Sequence, residues 1–285
     1  MRNLKRALSL ALAAIMLIGM MVVSASATGL DDFSDKDKAV NKDAVSMLVS
    51  LGIIEGKPDG SYGPTENVDR AQMAKMLSVI MNKGVDNSAL YQSVNSGLTD
   101  ITSHWAKGHI NYCYTTGIIA GRGNGKFDPA ATVTGNEAAK MLLVALGYDA
   151  KVANYVGNDW AINVAADAVN AGIAPKGIVL ADAMTREQAA QMAFQTLTAD
   201  MVYYTNKGTT VIGSDGMQVI VGASAPVKVA NSTTDDYRTV KGDKDEVQQF
   251  CEKYFSDLKK VRSDSDEFER PAITWKFKSN TIGTY

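Results

Sequence analysis

The feature that most constrains this chain is an internal repeat. Shifted by 65 positions, Phe33–Asn82 aligns with Leu98–Gly147 without a gap, and fourteen of the fifty positions are identical. They include Gly52/Gly117, Ile53/Ile118, Ile54/Ile119, Gly56/Gly121, Gly60/Gly125 and Pro64/Pro129, and Ala74-Lys75-Met76-Leu77 recurs as Ala139-Lys140-Met141-Leu142. Chance matching at average residue usage would give roughly three identities. A looser third copy follows: Asp159-Trp160 aligns with His104-Trp105, Gly172-Ile173 with Gly117-Ile118, and Thr185-Arg186-Glu187-Gln188 with Thr134-Gly135-Asn136-Glu137. A unit of about fifty residues buries too little surface to stand alone, so three copies are expected to share one core.

Each unit reads as helix, loop, helix. In the second copy Trp105, Ile110, Tyr112, Cys113 and Tyr114 mark an apolar first helix that stops at Gly117. The loop Gly121-Arg122-Gly123-Asn124-Gly125 calls for positive φ, which glycine and asparagine supply cheaply. Thr134 three residues before Glu137 forms a capping-box pattern ahead of an apolar stretch; Thr185 with Gln188 and Asp69 with Gln72 repeat it. The second helices are rich in Ala, Met and Leu, so they are expected to meet in the middle and leave three grooves between neighbouring units.

Residues 1–27 read as an export signal: Arg2, Lys5 and Arg6 precede the apolar run Ala7–Val23, and Ala25-Ser26-Ala27 offers a cleavage site. Cleavage is preferred over a retained span, so the membrane is a partner only during export. Without the signal's three cations, 26 Lys+Arg face 31 Asp+Glu, a net charge of −5. That excludes a general polyanion binder, nucleic acid included, and an acidic ligand would have to meet locally placed cations. Two cysteines, Cys113 and Cys251, are too few for a disulfide framework, and their pairing is left open.

Taken together, Phe33-Ser34-Asp35, His104-Trp105-Ala106, the repeated Gly-Ile-Ile turn, Gly56-Lys57-Pro58-Asp59-Gly60 and Asp69-Arg70-Ala71-Gln72 resemble S-layer homology domains over roughly residues 31–204. The resemblance implies a mainly α, pseudo-threefold helical bundle, secreted to the wall or S-layer of a thick-walled bacterium. It also implies a partner, secondary cell-wall polysaccharide of pyruvylated N-acetylhexosamine type, and self-assembly into a surface lattice. No cofactor or metal is called for. The implied glycan-binding residues are Arg70, Gln72, Asp59, Gly60, Trp105, Glu137, Trp160, Arg186 and Gln188. The family's arginine is replaced by Gly135 in the second copy, and its aromatic by Val40 in the first; each departure weakens one groove.

A pyruvate ketal presents a carboxylate that guanidinium matches with paired charge-assisted hydrogen bonds. Arg70 and Arg186 at helix starts would add the pull of backbone N–H groups and the helix dipole; the alternative is a surface charge paired with Asp69 or Glu187. Trp105 and Trp160 read either as flat faces for sugar C–H bonds or as core anchors. His104 reads as a cap, and two histidines make a histidine zinc site a poor reading. The loops at Asp59-Gly60 and Gly121–Gly125 lack the strand and lysine of a phosphate cradle. The acidic stretches Asp31–Asp37 and Asp264–Glu269 lack calcium-loop spacing and read as solvated charge. No nucleophile–base set is visible, so the chain reads as an anchor and not an enzyme. The alternative is the anchoring module of a wall enzyme, such as a hydrolase, with its catalytic domain downstream.

The domain reading is signal 1–27, repeats at 28–85, 96–150 and 151–204, and a small mixed α/β segment over 205–285. In that segment Thr209–Gly213 and Met217–Val221 flank Ser214-Asp215-Gly216 as a hairpin. Val227–Ala230, Ile273–Phe277 and Thr281–Tyr285 read as strands. Asp243–Arg262 reads as an amphipathic helix on the spacing of Val247, Phe250, Cys251, Tyr254, Phe255 and Leu258. With little cargo visible, the chain is expected to be the front of a longer protein.

Overall fold

The computed structural model describes residues 29–212, 218–231, 246–263 and 272–284. The expected export signal, the expected turn at 214–216 and the acidic stretch 264–269 lie outside them.

Three helix–loop–helix units come first. They are α1 (Lys42–Ser50) with α2 (Arg70–Met81), α3 (Lys107–Thr115) with α4 (Gly135–Leu146), and α5 (Trp160–Asn170) with α6 (Arg186–Leu197). The capping boxes form as expected. Asp69, Thr134 and Thr185 each accept the N–H of the residue three positions on, and Gln72, Glu137 and Gln188 reach back to the capping residue. Such a cap is worth about 1 kcal/mol and sets where each second helix begins.

The units close on one another. Each second helix packs on the first helix of the next unit, α2 on α3, α4 on α5 and α6 on α1, while α4 also touches α2 and α6. Isolated β-bridges join the entry strands of the second helices around the same ring: Asp69 with Thr132, Thr134 with Ala183, and Asn67 with Thr185. Inside lie Met47, Leu48, Met73, Leu77, Ala138, Leu142, Ala189 and Met192, all essentially inaccessible to solvent.

After α6 the chain turns to strands, among them β1 (Val202–Tyr203) paired with β4 (Val227–Lys228), and the hairpin β2 (Thr209–Ile212) with β3 (Gln218–Val221). The amphipathic helix expected over 243–262 is corrected. Val247 and Gln249 make isolated bridges, the helix is only α7 (Phe250–Tyr254), and residues 258–263 form β5. Phe250, Cys251, Phe255 and Leu258 are buried as their spacing implied. However, β5 (Leu258–Ser263) pairs antiparallel along its whole length with β6 (Ala272–Phe277), a partner distant in sequence that apolar spacing does not reveal. β6 then pairs with β7 (Asn280–Thr284). With seven α-helices and seven strands among the described residues, the structure is mixed α/β where a mainly α fold was expected, the strands being gathered after residue 201.

This mixed segment shares the bundle's core instead of making its own. Phe250, Cys251, Phe255 and Trp275 belong to the same buried cluster as the helices, Trp275 meets Phe194 of α6 edge-on at 6.3 Å, and β7 lies along α1. Both cysteines are buried and unpaired.

Candidate functional site

Three grooves lie between the units, and each of the first two draws on all three. Groove A, about 270 Å³, is walled by the loop Ile53–Pro58 and by Gln72 and Lys75 of α2; Trp105 comes from the second unit and Arg186 from the third. Groove B, about 350 Å³, uses the loop Ile118–Arg122 with Glu137 and Lys140 of α4, Arg70 from the first unit and Trp160 from the third. Groove C, about 320 Å³, is formed by Pro175–Ile178 with Gln188 and Gln191 of α6, and by Asn41 from the first unit.

The two arginines hold matching positions. Arg70 donates from Nε to the Phe127 carbonyl at 2.9 Å and from Nη2 to the Ala120 carbonyl at 2.7 Å, with its guanidinium 4.5 Å from the Phe127 ring centre. Arg186 donates from Nε to the Tyr62 carbonyl at 2.8 Å and from Nη2 to the Glu55 carbonyl at 3.4 Å, 5.1 Å from the Tyr62 ring centre. Each arginine therefore reaches across to clamp a neighbouring unit's loop while lining that unit's groove. Arg70 is 3% exposed. Burial, aided by the Arg122 charge, pulls its pKa below the ordinary arginine value; guanidinium stays charged nonetheless. Pairing with Asp69 or Glu187 is not what engages them.

The helix starts are not open anion sites. The N–H groups of Arg70 and Ala71 donate to the carbonyls of Ala131 and Pro129, and those of Arg186 and Glu187 to Glu66 and Pro64. The third N–H of each helix is taken by its capping side chain. Neighbouring carbonyls thus occupy the positions that an anion was expected to use, and charge recognition is left to side chains.

Groove A presents Arg186, Lys57 and Lys75 around the open face of Trp105, which is 57% exposed and not a core anchor. Lys57 pairs with Glu66 at 2.5 Å, which raises its pKa, and Lys75 with Glu55 at 2.6 Å. In groove B Arg122 pairs with Glu137 at 2.7 Å. There Lys140 donates to the Tyr155 carbonyl at 2.6 Å and sits 5.4 Å from the Trp160 ring centre. Burial lowers the Lys140 pKa, with Glu137 opposing.

Of the expected residues, Arg186, Gln72 and Trp105 meet in groove A, and Arg70, Glu137 and Trp160 in groove B; Gln188 lines groove C. Asp59 and Gly60 line none of these three grooves. Asp59 accepts from the backbone N–H and hydroxyl of Ser61, and Gly60, at φ 78°, accepts the Ser34 N–H, so both serve the turn. Four groove cations were not among the expected glycan-binding residues: Lys57, Lys75, Arg122 and Lys140. The self-alignment held the signal, because Lys75/Lys140 is a repeated charge inside an apolar run and Lys57/Arg122 a repeated cation in the loop. His104 does cap its turn, accepting the Ala106 N–H at Nδ1.

By the repeat correspondence the two weakened positions, Val40 and Gly135, belong to groove C, although neither lines it. The Val40 and Asn41 N–H groups donate to Oε1 of Glu187, the Asn41 bond at 2.5 Å. Gly135 lies against Leu180: a Cβ there would fall 2.7 Å from the Leu180 Cα. Leu180 fills the space that arginine needs in the other two grooves.

The family model for the S-layer homology domain matches residues 32–74 and 97–139, the segments that supply the first helices and loops of the first two units and the opening residues of α2 and α4. Two segments of this chain thus match the S-layer homology domain. It is 29% identical over 239 residues to a cell surface protein of Thermoanaerobacter kivui, covering 82% of this chain and 30% of that protein. An S-layer protein of Bacillus licheniformis is 34% identical over 111 residues, 39% of this chain and 12% of its own. An uncharacterized cell wall amidase of Bacillus anthracis is 27% identical over 158 residues, 50% of this chain and 28% of its own. The chain thus matches less than a third of the length of each of these relatives. No grouping of His, Cys, Asp and Glu among the described residues could hold a metal, and no described helix is long and apolar enough to cross a membrane.

Proposed function

We propose that this chain anchors a secreted envelope protein non-covalently to the bacterial cell wall, with residues 28–85, 96–150 and 151–204 acting as three units of one pseudo-threefold module. The third unit lies outside the matched family segments; its capping box, its clamp through Arg186 and its closure onto α1 support counting it. Its ligand is an acidic secondary wall polysaccharide of pyruvylated N-acetylhexosamine type. The observation that carries this reading is that grooves A and B repeat one chemical set: an arginine, two further cations and a tryptophan, exposed at Trp105 and partly buried against the core at Trp160. The tryptophan face suits sugar C–H bonds and the cations a ketal carboxylate, which lets an acidic protein hold an acidic chain.

The test is co-sedimentation of the full secreted chain with purified walls. Trp105→Ala with Trp160→Ala is expected to reduce pelleting at least tenfold while leaving the circular dichroism spectrum unchanged, and removal of ketal pyruvate from the glycan to do the same. Equal binding to pyruvylated and pyruvate-free walls overturns the acidic-ligand reading. A second reading, the anchoring module of a wall enzyme, rests on the amidase relative. It shares the anchor and differs only in what the anchor carries. Self-assembly into a lattice belongs with the first reading, which the cell surface and S-layer relatives favour.

A further inference from the structure

We infer that groove C is a separate saccharide subsite with the opposite charge preference, taking an uncharged N-acetylhexosamine residue and not an acidic one. The inference rests on the wall-anchoring reading, since it concerns a third contact along the same kind of glycan.

Groove C has lost its anion determinants together. Gly135 replaces the arginine, and Leu180 closes that space. Gln191 stands where the self-alignment places Lys75 and Lys140, Gly177 where it places Lys57 and Arg122, and Val40 where it places the tryptophans. The groove has nevertheless stayed open, at about 320 Å³ against 270 and 350 Å³ for the other two.

Its wall is rich in amides. Asn41, Gln188 and Gln191 line it together with Thr65 and Lys176. The Gln188 carbonyl oxygen is committed to the Thr185 N–H at 2.9 Å. The side-chain amides of Asn41 and Gln191, both half-buried, have no hydrogen-bond partner among the described residues. A primary amide offers two donors and an acceptor, the set that pairs with sugar hydroxyls and an acetamido group. At the edge of the groove the Glu187 carboxylate, 8% exposed, is held by the Val40 and Asn41 N–H groups. Its negative charge repels a ketal carboxylate, and the single Lys176 does not replace the three cations of groove A or B.

The experiment is amide-detected NMR of the full secreted chain titrated with a neutral N-acetylglucosamine disaccharide and, separately, with its pyruvylated counterpart. The neutral probe is expected to shift the Asn41 and Gln191 side-chain amides, and Asn41→Ala with Gln191→Ala to weaken its binding about tenfold or more, as loss of two hydrogen bonds implies. That variant keeps its affinity for the pyruvylated probe, and Trp105→Ala with Trp160→Ala shows the reverse pattern. Overturning results are an unmoved groove C at saturating neutral probe, or tighter binding there of the pyruvylated probe. If the pyruvylated probe shifts grooves A and B while groove C stays silent, this inference fails and the anchoring function stands. If neither probe binds anywhere, both fail.

Discussion

Grooves B and C share a backbone plan and differ in what crosses the seam between units. In groove B a nearly buried arginine reaches over, gives two hydrogen bonds to the neighbouring loop and covers an aromatic ring. At the corresponding seam of groove C no arginine crosses: Gly135 lets the backbone and side chain of Leu180 approach closely. One ring is thus closed in two ways, by a charged clamp that leaves a cation at the groove wall, or by apolar contact that leaves none. The same residue type that equips a groove for an anion also holds the ring together, so losing the arginine changes the chemistry and the mechanics at once.

The comparison can be broken most sharply at Arg70. Arg70→Ala removes the clamp and strands two carbonyls, and is expected to cost about 2–4 kcal/mol by urea denaturation. Arg70→Lys is expected to recover little, because an ammonium cannot span both carbonyls. A loss below about 0.5 kcal/mol for Arg70→Ala, the size of an ordinary surface substitution, would show that the ring does not need its clamp. Arg186→Ala is expected to be milder, about 1–2 kcal/mol, since that side chain is more exposed and its second bond is 3.4 Å long.

The opposite change tests the apolar seam. Gly135→Ala drives a Cβ into Leu180 and is expected to destabilise by about 1–3 kcal/mol. Gly135→Arg is expected not to confer binding of the pyruvylated sugar; a gain of binding without loss of stability would mean that Leu180 yields easily. Removing a cap shared by both seams, Thr134→Ala or Thr185→Ala, is expected to cost about 1 kcal/mol each.

The smallest effect separates groove A from groove B. His109, 4% exposed, lies 2.6 Å from the Ser78 hydroxyl through Nδ1 and 3.7 Å from Asp86 through Nε2, edge-on to Trp105. Its aligned counterparts are Val164 and Ala44. Burial holds the His109 pKa below 6.5, with Asp86 opposing and Lys75 assisting. A histidine depressed in the folded state contributes stability that is present above its unfolded pKa and is lost as pH falls below about 6.5. Thermal melts from pH 7.5 to 5 are expected to decline, and His109→Gln to flatten that decline; an unchanged slope in the variant would assign it to other groups.

The division between what could be read early and what could not runs through particular residues. Three capping boxes, the Gly117 stop and the apolar face of each second helix were legible, because caps and helical periodicity are local chemistry within a turn or two of chain. The stretch 243–262 was misread for the same reason. Its apolar spacing fits a helix, but backbone pairing with Ala272–Phe277, distant in sequence, makes residues 258–263 a strand. Periodicity names the residues that go inside and cannot name the hydrogen-bond partner.

By itself the sequence determined that the chain repeats, where each second helix begins, which face of each second helix turns inward, and which substitutions depart from the repeat. Only the tertiary structure decided that Val40 and Gly135, 95 positions apart, spoil one groove instead of two, and that Arg70 and Arg186 serve loops of units other than their own. The reason is geometric: each groove takes its loop, its cation and its aromatic from different units, and that sharing exists only once the ring has closed.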